Sequence, residues 1–367
     1  MTRTVLRLAL GLLIVLHGLV HLTGTAAGLG WGDTGLVVSP VAGWAWLVVC
    51  LLTVAAGIGF IAGRRRWWWL GAPAAAGSLA LLAGHWPESA VGLVPDVVLL
   101  AAVAHSWWRS SPRSLPGRYR RGVAATPVPV PARGVVTEAD LAGLPAPVAG
   151  WLRRTGAVGR PRVTRVRATL RGRIRGGPDE PWMTFTGEQV NTYGPRPTRH
   201  FLLDATRAGL PIDVLHVLTD GRALMTARLL SVIPVVDAAG PAMDLSEAVT
   251  LFDDLCLLAP AALIDAPVTW QPIDDRRVRA TYRTGGQEVG AVLEFDESGD
   301  LRNLTSDDRL RAEPDGSFTP MRWDTPVHDF RDTGGRRLPG TAGARWHAPA
   351  GTFSYAELTI LAVESGP

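Results

Sequence analysis

Lysine is missing from all 367 residues, and only two cysteines occur. Without lysine there is no Walker-type phosphate loop, and Gly-x-Ser-x-Gly, His-Glu-x-x-His and Cys-x-x-Cys are missing too. The common hydrolase, nucleotide-binding, zinc-protease and thiol-redox constellations are thereby excluded. Cys50 and Cys256 lie far apart in regions of different character, so no disulfide scaffold is built here. Cys256 falls in an apolar helical stripe, where a buried thiol is inert. Acid is scarce in the first third of the chain. Residues 1–121 hold Asp33, Glu88 and Asp96 against ten arginines, a balance of +7 that leaves −3 of the overall +4 for the remainder. The basicity belongs to the N-terminal part, and the rest carries no nucleic-acid footprint.

That N-terminal part consists of four hydrophobic spans, Thr4–Gly24, Val41–Gly63, Trp67–Trp86 and Val91–Trp108. Each matches the roughly 20 residues needed to cross a hydrocarbon core of about 30 Å. The arginines orient them. Arg3 and Arg7 precede the first span, Arg64–Arg66 separate the second from the third, and five more follow the fourth. Positive residues stay on the cytoplasmic side, so four crossings of the cytoplasmic membrane with both ends inside are expected. If the third span fails to cross, the domain that follows span four lies outside. A cleavable signal peptide is disfavoured by His17 and His21 within span one and by the three spans that follow.

Ionisable residues sit inside this apolar region. His17 and His21 are four apart and share a helix face. Span direction brings His85, at the end of span three, and Asp96, early in span four, to a similar depth. Ionisable groups in lipid face a partner, a cavity or a ligand. Two readings stand. The four side chains form a hydrogen-bonded network between helices, or they hold a metal, haem or proton, since imidazoles with a carboxylate suit zinc or iron. No cofactor is named by the sequence itself.

A Pro-, Arg- and Ser-rich segment, 109–135, reads as an extended basic linker facing anionic lipid headgroups. The globular part follows over 136–367. Thr137-Glu-Ala-Asp140 has the form of a capping box, and Pro145 and Pro147 divide the helical pattern behind it. From Arg165 to Arg175 apolar and arginine residues alternate strictly, the mark of a half-buried antiparallel strand. Gly285-Gly286 is a two-residue hairpin turn. It pairs Arg283 with Glu288, Arg277 with Glu294, Tyr282 with Val289, Ala280 with Ala291 and Val278 with Leu293, and both faces then make sense in one register. Asp244-Leu-Ser-Glu247 reads as the cap of a helix with Val249, Leu251, Phe252, Leu255 and Leu258 apolar, ending before Pro260. His200, His216, His328 and His347 are isolated in sequence. Asp253-Asp254 and Asp307-Asp308 are the best carboxylate pairs. On a strand Asp307 and Asp308 point to opposite sides, so with Arg309 they are read as structural, one of them pairing with Arg309 or Arg322.

The stretches LPAPVAGWLRRTG (144–156), WMTFTGEQ (182–189), AVTLFDDLCLLAPAALIDAPVTW (248–270), LTSDDR (304–309) and MRWDTPV (321–327) resemble an uncharacterised bacterial family, a domain of unknown function often found behind transmembrane helices. The resemblance implies a fold of the lipoprotein-carrier type, a curved antiparallel sheet forming a half barrel with covering helices around an apolar cavity. The expected architecture is thus a membrane all-α four-helix bundle followed by an α+β domain. The expected cavity wall comprises Val166, Leu170, Ile174, Trp182, Phe252, Tyr282, Val289 and Leu293. The expected role is a membrane-anchored, non-enzymatic module that binds a lipid or another apolar small molecule. The alternative is a membrane redox, metal or proton-handling protein using His17, His21, His85 and Asp96.

Overall fold

A computed structural model describes residues 3–32, 34–130, 134–313 and 316–366. Asp33 and residues 131–133 of the expected linker lie outside the described residues. The chain divides into two compact units, Met1–Gly117 with Ala208–Leu210, and Arg118–Arg207 with Pro211–Pro367.

The first unit is helical. α1 (Arg3–Val20) and α2 (Leu22–Leu29) are separated at His21. α3 (Pro40–Ile61), α4 (Trp68–Gly84) and α5 (Leu93–Ser110) follow, and α6 (Leu115–Ala125) starts here with most of its length assigned to the second unit. α3 starts where sequence rules place a start: the Ser39 hydroxyl accepts the Ala42 N–H, and Pro40 occupies the first helical position. α1 packs on α3 and α5, α3 on α4, and α4 on α5, which closes a ring of four helices. Small residues permit the close crossings. Gly28 of α2 and Gly43 of α3 meet backbone to backbone, and a Cβ on Gly28 would lie 2.5 Å from the Gly43 Cα.

Three stretches, Thr4–Leu29, Pro40–Ile61 and Ala90–Ala125, are long and apolar enough to cross a membrane. The expected third span is a shorter helix. α4 has 17 residues with Pro73 inside it. At 1.5 Å per residue it is about 25 Å long, short of a core of roughly 30 Å. The expected linker is also different, because its middle is α6. The Ser114 hydroxyl accepts the Gly117 N–H at 3.1 Å and so caps that helix, a start signal that the surrounding Pro and Arg obscure.

The second unit is mostly antiparallel sheet. Two short helical pieces precede it. The first, Glu138–Leu141, is capped by Thr137 and Asp140 as a capping box, and α7 (Ala146–Arg154) follows. The strands before the main helix are β1 (Arg165–Ile174), β2 (Met183–Thr192), β3 (Thr198–Arg207), β4 (Leu210–Thr219), β5 (Arg222–Leu229) and β6 (Ile233–Ala239). After α8 (Pro241–Leu258) come β7 (Val268–Pro272), β8 (Arg277–Thr284), β9 (Gln287–Phe295) and β10 (Leu301–Ser306). β11 (Leu310–Ala312) and β12 (Phe318–Pro320) form a small ribbon, as do β14 (Arg331–Thr333) and β15 (Arg336–Leu338). β13 (Trp323–His328), β16 (Thr341–Ala348) and β17 (Gly351–Gly366) complete the main sheet. Its 13 strands run in the order β6-β5-β4-β3-β2-β1-β17-β16-β13-β10-β9-β8-β7.

The β8–β9 hairpin has the register that its charges and apolar residues imply, with Arg283 opposite Glu288 and Val278 opposite Leu293. Arg283 closes its ion pair at 2.7 Å, whereas the Arg277 guanidinium turns to Asp274. On β1, Val166, Ala168 and Leu170 are buried. The arginine row on its other face is solvated and pairs with neighbouring strands, Arg167 with Glu188 and Arg173 with Glu357.

The sheet is strongly curved. Gly221 in the β4–β5 turn and Gly285 in the β8–β9 turn lie in contact, although seven strands separate those hairpins in the sheet. Both have positive φ, and a Cβ on Gly221 would sit 2.2 Å from the Gly285 carbonyl oxygen, so no other residue fits there. The two outer strands, β6 and β7, stay unpaired with each other, and the result is a half barrel rather than a closed one.

α8 fills the concavity. It is buried nearly all round, with 14 of its 18 residues buried, which marks a helix internal to the core. It begins at Pro241 with Gly240 as its cap, four residues before the cap that the sequence implies. Asp244 is not its cap. The Asp244 carboxylate instead accepts the Ala223 N–H at 2.6 Å and pins the helix to β5.

Candidate functional site

In the helical unit, His17, His21, Ser78 and Asp96 meet, and each is at most 5% exposed. His17 Nε2 lies 2.8 Å from Asp96 Oδ1, and the Ser78 hydroxyl donates to Asp96 Oδ2 at 2.8 Å. Ser78 Oγ is also 3.2 Å from His21 Nε2. Three helical stretches are thus joined by side-chain hydrogen bonds, with Ser78 of α4 at the centre. Sequence reasoning missed Ser78, since a serine in an Ala/Gly-rich helix looks like ordinary small-residue packing. His85 does not join the network. Its Nδ1 pairs with the Leu81 carbonyl, and its ring packs on Trp46, which in turn packs on His21. Among the described residues, no three His, Cys, Asp or Glu side chains are grouped so as to hold a metal ion.

In the sheet unit, a cavity of about 130 Å³ lies between α8 and the concave face of β4, β3, β2, β1, β17, β16 and β13. Leu170, Phe185, Phe201, Leu203, Leu257 and Ile360 give it apolar walls. Its remaining wall is charged, supplied chiefly by one face of α8. Arg199 of β3 is buried and bridges two carboxylates of that helix, Glu247 at 2.9 Å and Asp254 at 2.6 Å. His216 of β4 approaches Glu247 at 3.0 Å, and Gln189 and Asn191 of β2 both donate to Asp254. Burial works against ionisation of Glu247, yet Arg199 and then His216 more than offset it and hold that carboxyl far below the usual carboxylate range.

Asp253 is placed differently. Burial, and then the neighbouring Asp254 carboxylate, push it well above the ordinary carboxylate range and so favour its neutral form. Its Oδ1 has no hydrogen-bond partner among the described residues. Thr325 Oγ1 faces Asp253 without closing a hydrogen bond of ordinary geometry. Arg309 Cζ lies over the Trp323 ring, 4.5 Å from its centre, and its Nη1 reaches the Thr250 hydroxyl, while its buried Nε has no partner among the described residues.

The residues expected to line the cavity divide into three groups. Leu170 and Ile174 do line it. Val166, Phe252, Tyr282, Val289 and Leu293 are packed core, with Phe252 of α8 stacked on Tyr282 at 5.2 Å. Trp182 is in neither place. Arg173 and Arg175 each set their guanidinium 4.5 Å from its ring centre, a cation–π arrangement. Asp307 holds Arg322 in a bidentate pair, and Asp308 accepts the Gly290 N–H at 2.6 Å. Arg309, expected to be structural, is part of the cavity wall. Arg199, Glu247 and His216 escaped sequence reading because they come from separate elements. The available signal was the placing of charges within apolar stretches.

Residues 134–358 match a family described as a family of unknown function (DUF6544). No curated protein matches the chain. Among solved structures, the chain is similar to a putative outer membrane lipoprotein-sorting protein domain from Vibrio parahaemolyticus, at 13% identity and a TM-score of 0.29, over 55% of this chain and 85% of that one. It is similar to a LolA superfamily protein from Nitrosomonas europaea at 10% identity and a TM-score of 0.31, covering 60% and 94% of the two chains. It is also similar to a DUF1329 family protein from Desulfovibrio piger at 11% identity and a TM-score of 0.34, covering 60% and 92%.

Proposed function

This chain belongs to the DUF6544 family of unknown function, and we propose that its sheet domain is a membrane-tethered module that binds an apolar ligand in the cavity under α8. The observation that carries this reading is the cavity itself, apolar on one side and closed by an internal helix on the other. A dry apolar cavity of about 150 Å³ accommodates benzene, so about 130 Å³ suits a ring or a short chain. An entire acyl chain needs α8 to move. Benzene titrated into the full-length protein in detergent should bind saturably, one per chain. Uptake no greater than partition into the detergent alone would sink the reading.

The membrane tether rests on the three long apolar helices and on where the arginines sit. With α4 also crossing, the arginine clusters share the cytoplasmic face and the sheet domain is cytoplasmic. A length of 17 residues is at the low end of what spans a bilayer. Alkaline phosphatase fused after Arg121 should be inactive and a fluorescent protein there should be bright; active phosphatase puts α4 on one side only. In this reading His17, His21, Ser78 and Asp96 knit helices together and bind no cofactor.

A further inference from the structure

Three side chains lining the cavity each leave a buried polar atom without a partner among the described residues: Arg309 Nε, Asp253 Oδ1 and Thr325 Oγ1. Most buried side-chain polar atoms in native interiors have a partner, because each costs about 1–3 kcal/mol if left unsatisfied. Three on one cavity wall need a common explanation. They come from α8, β13 and the loop after β10, so no single strained element accounts for them. Other polar groups of that wall are satisfied, Glu247 and Asp254 through Arg199 and Asp254 through Gln189 and Asn191 as well. The unsatisfied atoms are therefore a local surplus of hydrogen-bonding capacity beside an apolar space.

Resting on the apolar-ligand reading above, we propose that Arg309, Asp253 and Thr325 form a polar subsite that reads an uncharged oxygen group, a hydroxyl or an ester carbonyl, at one end of that ligand. Arg309 Nε supplies a fixed N–H to the oxygen. Thr325 donates or accepts as the group requires. Asp253, whose neutral form burial favours, supplies an O–H in that form. The charge balance sets the ligand's charge. Glu247 and Asp254 carry two negative charges, Arg199 and Arg309 carry two positive ones, and the His216 imidazole stands beside Glu247. With Asp253 and His216 both neutral the wall is balanced, and a carboxylate or phosphate then adds a buried charge with no counterion.

The test compares 1-hexanol, hexane and hexanoate on the full-length protein in detergent at pH 7.5. A purely apolar cavity prefers hexane, since burying a hydroxyl without a partner is costly. The subsite predicts the reverse, with 1-hexanol bound at least tenfold tighter than hexane and tighter than hexanoate. Arg309→Met should abolish the preference for hexanol and leave hexane binding in place. Because Arg309 also stacks on Trp323, the near-isosteric Thr325→Val is the second variant, with a preference reduced severalfold. Hexane bound as well as or better than hexanol overturns the subsite while leaving the apolar cavity standing, and so does tighter binding of hexanoate. If none of the three probes binds, the cavity reading and the subsite fall together.

Discussion

Both units bury ionisable side chains, yet they treat them differently. In the helical unit His17, Ser78 and Asp96 satisfy one another over 2.8–3.4 Å. In the sheet unit Arg199 satisfies Glu247 and Asp254, but Asp253, Thr325 and Arg309 are left with unused atoms on a cavity wall. A closed set of hydrogen bonds is a device for holding helices together. A set with surplus capacity on the wall of a cavity is suited to holding something else. The helical unit has a leftover atom as well, His21 Nδ1, on a ring packed against Trp46. The contrast is therefore one of degree and of place.

The largest effect is expected from breaking the satisfied half of the sheet network. Arg199→Leu strands Glu247 and Asp254 without their counterion and should destabilise the domain by about 3–5 kcal/mol. Chemical denaturation of the full-length protein in detergent measures this. A loss below 1 kcal/mol would mean that both carboxylates find other partners.

Asp253 sharpens the comparison through pH. Its pKa is raised in the fold, so the stability it contributes is fully present below the ordinary carboxylate value of about 4 and is lost as pH rises through the raised one. Asp253→Asn carries no proton to lose. The stability of the variant should gain on that of the parent steadily as pH rises above about 4. Parallel stability curves for the two proteins would show that Asp253 titrates normally.

In the helical unit the expected effects are smaller. His17→Leu removes one of two partners of Asp96 and should weaken helix packing by about 1–2 kcal/mol, since interhelical hydrogen bonds in lipid have modest worth. Its absorbance spectrum should match that of the parent protein. Loss of a visible band or of bound metal would instead favour the metal or haem reading. Smallest of all is Thr137→Ala, which removes one half of an exposed capping box and should cost about 0.5–1 kcal/mol, measured in the same unfolding experiment.

How legible these features were depends on how local their causes are. The β8–β9 register could be read from residues 277–294 because a two-residue turn fixes every pairing behind it. The clustering of His17, His21 and Asp96 could be read from span direction and depth alone. The cavity could not. Whether Phe252 and Tyr282 wall a hollow or fill it depends on where α8 lies across the sheet, and no local pattern states that. Glu247 shows the same limit, since the capping-box pattern that assigned it to a helix start is local, whereas its partners Arg199 and His216 come from β3 and β4. α6 was hidden for the opposite reason. Its start signal at Ser114 is local, but the prolines and arginines around it imitate a linker.

The central claim is that the space beneath α8 is a binding site. It is tested most directly by saturable benzene binding to the full-length protein beside an Ala344→Leu variant, in which the added carbons occupy the cavity that Ala344 lines. The account predicts one saturable site per chain in the parent protein, no such site in the variant, and a variant at least as stable as the parent. Equal uptake by both proteins, or none by either, would contradict it.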